Sequence, residues 1–322
     1  MVAREEISFR MYQPSDLQAL VDVSNAVYIA LGDERRSAPE ELRMNLEAPE
    51  FDPEHNAFVA EHNGQVIGFA DLDFSRESGH GWSSYVVHPD YGNHQVGREL
   101  LHLTEARCLE RAQAESAPDQ SVWIQRVTPE RNTSAIRLFE AEGYQQVRTF
   151  YQMRLELDQQ VDVPPLPDGL SLRPYEPSRD AYALYEAFQD AFSDHWGFER
   201  DSFEEFEHYI LQHPKTDPSL WLLAYDGDEI AGYCLNRRFG DEDPRMGWIW
   251  ELGVRRPCRR RGLGYALLKR SLALFQSLGY PRAGLGVDSA SLTHATALYE
   301  RAGMHVHSRS LLYRKILRDA SG

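Results

Sequence analysis

The sequence predicts an α/β chain built from two tandem copies of one domain, each a central mixed β-sheet flanked by helices. Three observations predict it. A glycine/arginine loop separates an apolar strand from an amphipathic helix, the same layout recurs at a fixed shift, and a proline-rich break lies between the copies. The loop runs Val254-Arg255-Arg256-Pro257-Cys258-Arg259-Arg260-Arg261-Gly262-Leu263-Gly264-Tyr265, with five arginines inside seven residues of a chain whose net charge is −16. Gly262 and Gly264 have no Cβ, so the backbone there can approach a ligand closely. The first N–H groups of the following helix have no carbonyl behind them and sit at the positive end of the helix dipole. That geometry binds phosphate, and a pyrophosphate is the simplest ligand.

The second copy is Val87-His88-Pro89-Asp90-Tyr91-Gly92-Asn93-His94-Gln95-Val96-Gly97-Arg98, in which Val87 matches Val254 at a shift of 167 residues. At that shift Gly97 falls on Gly264, and Leu100-Leu101 fall on Leu267-Leu268. Upstream, 63–69 resembles 226–233; downstream, 135–144 resembles 295–304. Three ordered matches make a duplication of units of about 150 residues, an ordinary domain size.

The elements of the second half follow from pattern. Residues 170–175 read as a strand, and 178–192 and 202–211 as helices with aromatics at helical spacing. Residues 221–225 and 229–237 alternate as strands around Asp226-Gly227-Asp228, a hairpin turn signal. A strand at 246–254 runs into the loop and a long helix at 262–278 leaves it; 282–287, 293–302 and 305–315 give strand, helix, strand. The first half repeats this order. The domains therefore read as 1–157 and 170–322. Between them, 158–169 holds Pro164, Pro165 and Pro167, which stop any helix or central strand and make an extended spacer.

A hydrophobic content of 42% supports two ordinary cores. No apolar run of about 18 residues predicts a membrane span, and the charged opening residues do not read as a signal segment. Cys108, Cys234 and Cys258 are scattered without metal-type spacing, so no metal is expected and a reducing cytoplasm fits best. The acidic balance argues against a nucleic-acid partner.

These residues resemble the GNAT superfamily of acyl-CoA-dependent N-acyltransferases. The superfamily's loop signature, Gln/Arg-x-x-Gly-x-Gly/Ala, appears here as Arg259-Arg260-Arg261-Gly262-Leu263-Gly264. Its later aromatic-Glu-x-x-Gly-aromatic run appears as Tyr299-Glu300-Arg301-Ala302-Gly303-Met304, with Met at the last aromatic position. Both halves carry the resemblance, a tandem arrangement like that of the mycothiol synthases. It implies acetyl-CoA as acyl donor and a small-molecule amine as acceptor. It also fits a monomer acting as its own pseudo-dimer, or a homodimer.

The halves are unequal. Gly262 is matched by Gln95, Glu251 by Ser84 and Tyr299 by Phe139, so a carboxylate and a phenol at these positions occur only in the second half. The second domain is therefore expected to be catalytic and the first degenerate. In it, the resemblance implies Glu251 as base and Tyr299 as acid. Glu251 is flanked by Trp248 and Trp250, which would make it hold its proton more tightly than in water. The resemblance further implies a donor site of Leu252, Gly253, Val254, Arg259, Arg260, Arg261, Gly262, Leu263, Gly264, Tyr265 and Ser291. The Val254 N–H would bond the acetyl carbonyl where the strand splays. Many family members carry Asn near position 291, where this chain has Ser. On the acceptor side, Asp194, His195, Trp196 and Asp288 are candidates for holding a cationic amine. Two other functions compete: a protein or peptide N-acetyltransferase with an open acidic groove, and a non-catalytic acyl-CoA-binding scaffold.

Overall fold

The computed structural model describes residues 7–92, 94–117, 119–238, 246–291 and 295–320. The chain forms two compact units, one of 1–149 with 310–322 and one of 150–309. In the first unit, β1 (Ile7–Met11), α1 (Leu17–Ala30), α2 (Pro39–Leu46) and α3 (Pro53–Asn56) lead into the hairpin β2 (Ala57–His62) and β3 (Gln65–Asp71). Short strands β4 (Asp73–Ser75), β5 (His80–Trp82) and β6 (Tyr85–Val87) precede the long helix α4 (His94–Glu115). Then come β7 (Val122–Pro129), α5 (Thr133–Ala141) and β8 (Gln145–Glu156). Strands β1, β2, β3 and β6 make one antiparallel sheet.

The second unit continues with β9 (Leu170–Arg173), α6 (Pro177–Phe192), α7 (Phe203–Phe206), β10 (Leu222–Asp226), β11 (Glu229–Arg238) and β12 (Met246–Val254). It ends with α8 (Leu263–Ser277), β13 (Arg282–Asp288), α9 (Ala295–Arg301) and the start of β14 (His305–Arg318). Its sheet runs β9-β10-β11-β12-β13-β8 and is mixed, because β12 and β13 pair in parallel while the other pairs are antiparallel. One face carries the aromatic core of α6 and α7, with Leu184, Tyr185, Phe206, Tyr233 and Leu235. The other carries α8 and α9, with Leu263, Leu267, Leu272, Phe275 and Tyr299. The α8 residues recur every three or four positions, so one stripe of the helix is apolar and buried.

Two features differ from the sequence reading. Residues 150–156 of β8 pair with β13 in the second unit, and 310–318 of β14 pair with β7 in the first. The compact units therefore divide within β8, at 149 and 150, and the first is completed by residues 310–318 from beyond the second. The 158–169 segment forms neither helix nor strand, and it is tied to the second unit. The Gln276 carboxamide donates to the Leu157 and Gln159 carbonyls and accepts from the Val161 N–H, and Arg270 donates to the Pro164 carbonyl. The apolar Val161 and Leu166 cover the second unit's core, which gives the segment a reason to lie down.

Candidate functional site

Pairing between β12 and β13 stops at Ile249 opposite Leu285, whereas β12 stays paired with β11 as far as Val254 opposite Gly232. The two parallel strands therefore part after Ile249. On the β11 side the register slips, with Leu235 opposite Glu251 and Asn236 opposite Ile249, so Trp250 is an extra, bulged residue. Just past the strand, at the start of the loop, Arg255 donates its N–H to the Ala231 carbonyl at 3.0 Å. Strand alternation then turns the Val254 N–H to the opposite edge, into the gap that β13 leaves. The gap thus presents a backbone donor on the same stretch of β12 that carries Glu251.

That carboxylate, Glu251, is half-buried, and its pKa is pushed up from 4.5 to about 8 by burial. Arg237 opposes the rise and Asp201 adds to it. The bulge explains the burial, because Trp250 packs with the α6-side aromatics, Tyr233 among them. The ring of Trp248 does not share this role. It lies against Gly284 of β13, where a Cβ would come within 2.8 Å of it. The Tyr233 ring lies over Gly253, its hydroxyl is buried without a hydrogen-bond partner among the described residues, and its acidity responds to Glu251. Arg237 stacks on Trp250 at 3.6 Å and donates to His213 at 3.1 Å. Burial, with Arg237 second, lowers the His213 pKa to about 4 and keeps it neutral. Tyr233, Arg237, Asp201 and His213 were not singled out from the sequence; the first three act on Glu251 electrostatically and His213 on Arg237, through sheet register and packing that no local motif encodes.

The loop after β12 is shaped by two left-handed residues, Arg260 at φ 62° and Gly262 at φ 88°. Gly262 is the N-cap of α8 without a side-chain cap bond, and a Cβ there would meet nothing within 4 Å. A Cβ on Gly264 would make only ordinary contacts, to Val254 at 3.5 Å and Leu298 at 3.8 Å. Left-handed turns beside an uncapped helix start make an anion-binding nest of N–H groups. Leu263 is buried under the helix, while Tyr265 is half-exposed with the Arg301 guanidinium over its ring at 3.7 Å.

Most of the loop arginines have carboxylate partners. Arg255 and Arg256 pair with Asp190 of α6, and Arg255 also with Glu229. Arg259 forms a two-pronged ion pair with Asp194 and donates to the Ala191 and Val254 carbonyls. Arg261 reaches Asp226 at 3.4 Å and the Asp168 carbonyl at 2.9 Å. Arg260 makes no ion pair with any described residue. Asp194, expected to face a substrate cation, is thus engaged in bracing the loop, and Arg259 holds its carboxyl below the usual range. His195 packs edge-on against Phe192 at 4.5 Å, and its acidity responds to Asp194, Arg259 and Asp288. These groups share one neighbourhood, and Trp196 follows them in the chain. The Asp288 side chain accepts from the Ala290 N–H and its carbonyl from Ser291, closing the turn after β13.

Tyr299 is 7% exposed in the core between α8 and α9. Burial raises its pKa strongly, and Cys234 and Glu251 add to the rise, so the phenol keeps its proton at neutral pH. The second unit thus holds a proton-bearing phenol and a raised carboxyl that are electrostatically coupled, and a helix start whose left-handed turns suit an anion.

Residues 181–304 match the model of the acetyltransferase (GNAT) family, and residues 53–146 match that of a GNAT acetyltransferase domain. A mycothiol acetyltransferase of Salinispora tropica is 30% identical over 296 residues, covering 90% of this chain and 89% of the relative. The chain belongs to the GNAT family. It is a tandem GNAT acetyltransferase, similar also at 29% identity to a mycothiol acetyltransferase of Geodermatophilus obscurus, over 94% of this chain and 95% of that one. Its fold is similar to the crystal structure of a GCN5-related N-acetyltransferase from Sphaerobacter thermophilus, with TM-score 0.77, 32% identity, and 98% and 97% of the two chains covered. A tandem GNAT protein of the clavulanic acid biosynthesis pathway shares the fold at TM-score 0.69 and 16% identity, over 98% and 100% of the chains.

The first GNAT unit fills the same positions differently. Ser84, which matches Glu251, donates its N–H to Asp71 on the neighbouring strand at 2.6 Å, and burial raises Asp71 to about 6. Tyr85, which matches Leu252, occupies the space beside Gly97: a Cβ there would lie 2.2 Å from the Tyr85 hydroxyl. Phe139, in place of Tyr299, packs edge-on against Tyr85 at 5.6 Å. A cavity of about 250 Å³ remains, lined by Val27, Leu31, Tyr85, Val87 and Asn132 among others. Among the described residues of the chain, no three metal-ligating side chains cluster, and no helix is long and apolar enough to cross a membrane.

Proposed function

We propose that the second unit transfers acetyl from acetyl-CoA directly to the primary amine of a small acceptor, with Glu251 as base and Tyr299 as acid. The observation that carries this is Glu251, a carboxyl raised to about 8 and borne by β12 just past its last pair with β13. A base near the working pH accepts a proton without giving it up prematurely. The amine nitrogen attacks the thioester carbonyl carbon and its extra proton passes to Glu251. The Val254 N–H stabilises the oxyanion that forms. As the C–S bond breaks, Tyr299 protonates the departing thiolate, and Glu251 returns its proton to solvent or to Tyr299 before the next cycle. The nest from Arg260 to Tyr265 would hold the donor's pyrophosphate, with Leu252 and Gly253 along the pantetheine arm and Ser291 at the far wall.

The curated relatives are named for mycothiol acetylation, so a small amine of that chemistry is the first acceptor to test. His195 and Asp288 supply polarity beside the site, and a cationic acceptor remains part of the proposal. Three unpaired cysteines fit a reducing compartment. The test is thiol release from acetyl-CoA with a panel of small amines. Amine-dependent release supports the reading; donor binding with no release for any amine leaves an acyl-CoA-binding protein in its place.

A further inference from the structure

The proline-rich segment and the start of α8 border an open cleft of about 550 Å³ that begins at the loop signature and extends beyond it, away from the catalytic pair's residues. Its walls are Pro164 to Asp168 on one side and Arg261, Gly262, Tyr265, Ala266 and Arg301 on the other. The proline wall is fixed in place. Arg270 holds the Pro164 carbonyl at 2.7 Å, Arg261 holds the Asp168 carbonyl at 2.9 Å, and Leu166 is packed on the core. Prolines have no N–H and a locked φ, so Pro164 to Pro167 make a rigid, donor-poor and largely apolar surface, while the exposed Asp168 carboxylate at its end faces solvent and leaves the phosphate to the arginine wall. The opposite wall carries charge. Arg301 lies flat on the Tyr265 ring and makes no ion pair with any described residue, and Arg261 is only partly offset by Asp226 at 3.4 Å.

The cleft begins at Gly262, within the nest assigned to the pyrophosphate. A molecule bound there by its pyrophosphate has whatever lies beyond that group at the entrance to this cleft. Apolar flat walls suit a heterocyclic base, and an unpaired guanidinium suits a further phosphate. We infer that the segment joining the two domains is part of the donor site: the cleft takes the 3′-phosphorylated adenosine end of the acyl-CoA, with Arg301 reading the 3′-phosphate. This rests on the donor assignment above and adds to it a binding role for the interdomain segment.

The experiment compares acetyl-CoA with acetyl-dephospho-CoA, which lacks only the 3′-phosphate, on the full chain and on Arg301→Gln. Each donor is followed by thiol release and by calorimetric titration. The wild type is expected to favour acetyl-CoA about tenfold, the effect of one partly solvated charge-assisted contact, and Arg301→Gln is expected to bring the ratio close to one. A wild-type ratio near one, or a ratio kept in Arg301→Gln, overturns the inference. If both donors bind with the expected preference but neither yields thiol with any amine, the cleft stands and the transferase reading falls.

Discussion

Replacing Glu251 with Gln tests the chemistry and its structural cause together. The carboxyl is raised from 4.5 to about 8, chiefly by burial. Full conversion of that shift gives an upper limit of about 5 kcal/mol for the cost of ionising it in the folded state, and we expect about 1–3 kcal/mol to be realised after relaxation. The sign follows from proton uptake. Between 4.5 and about 8 the unfolded chain has lost this proton and the folded chain keeps it. Stability from this group therefore falls as pH rises through that window and levels off above about 8. A neutral amide of the same shape carries no such cost. Denaturant unfolding of the two proteins should differ little near about pH 5, with the Gln variant gaining most near about pH 9. Turnover moves the other way. Loss of a positioned base should lower kcat by about 10²-fold or more, with the donor KM within about twofold. The wild-type rate should climb with pH to about 8 and flatten, and the slope should vanish in the variant. Unchanged turnover, or a stability difference independent of pH, refutes the reasoning.

Three further outcomes follow from other contacts. Tyr299→Phe keeps the buried ring but removes the proton donor, so kcat should drop about tenfold or more while the donor KM holds, as read by steady-state thiol release. Asp194→Ala leaves Arg259 without its two-pronged partner, so the donor KM should rise more than kcat falls, and the pH at which the rate flattens should stay where Glu251 sets it. In the first unit Arg126 is fully buried, donating to Tyr144, Ser83 and Thr104, while Tyr144 donates to Glu105. Arg126→Met should cost about 3 kcal/mol in denaturant unfolding, because it strips a buried polar network of its centre.

The parts of the site that local sequence encodes were legible. A glycine that must adopt φ 88°, a run of arginines, a carboxylate on the strand and a tyrosine on the later helix are each visible in a short window. What depends on register was not. The bulge at Trp250 shifts one residue against Leu235 and Asn236, and only that slip puts Trp250 with the α6-side aromatics. The arginines read as a patch of charge, yet Asp190 and Asp194, more than 60 residues earlier, engage three of the five. The division within β8 and the pairing of the end of β14 with β7 join residues far apart in sequence, which no local pattern encodes. Tyr85 filling the space beside Gly97 is likewise a packing outcome, since the matching residue in the second half is a leucine of similar pattern.

A matched pair of substitutions separates transfer by the second unit alone from transfer that needs the first. Gly262→Glu and Gln95→Glu place the same carboxylate at positions that match in sequence at a shift of 167 residues, the first at the N-cap of α8 and the second in the first turn of α4. Amine-dependent thiol release from acetyl-CoA is the measurement, with circular dichroism to confirm that each variant is folded. The account predicts that Gly262→Glu abolishes release and Gln95→Glu keeps it near the wild-type rate. Release that survives Gly262→Glu, or is lost in a folded Gln95→Glu, contradicts it.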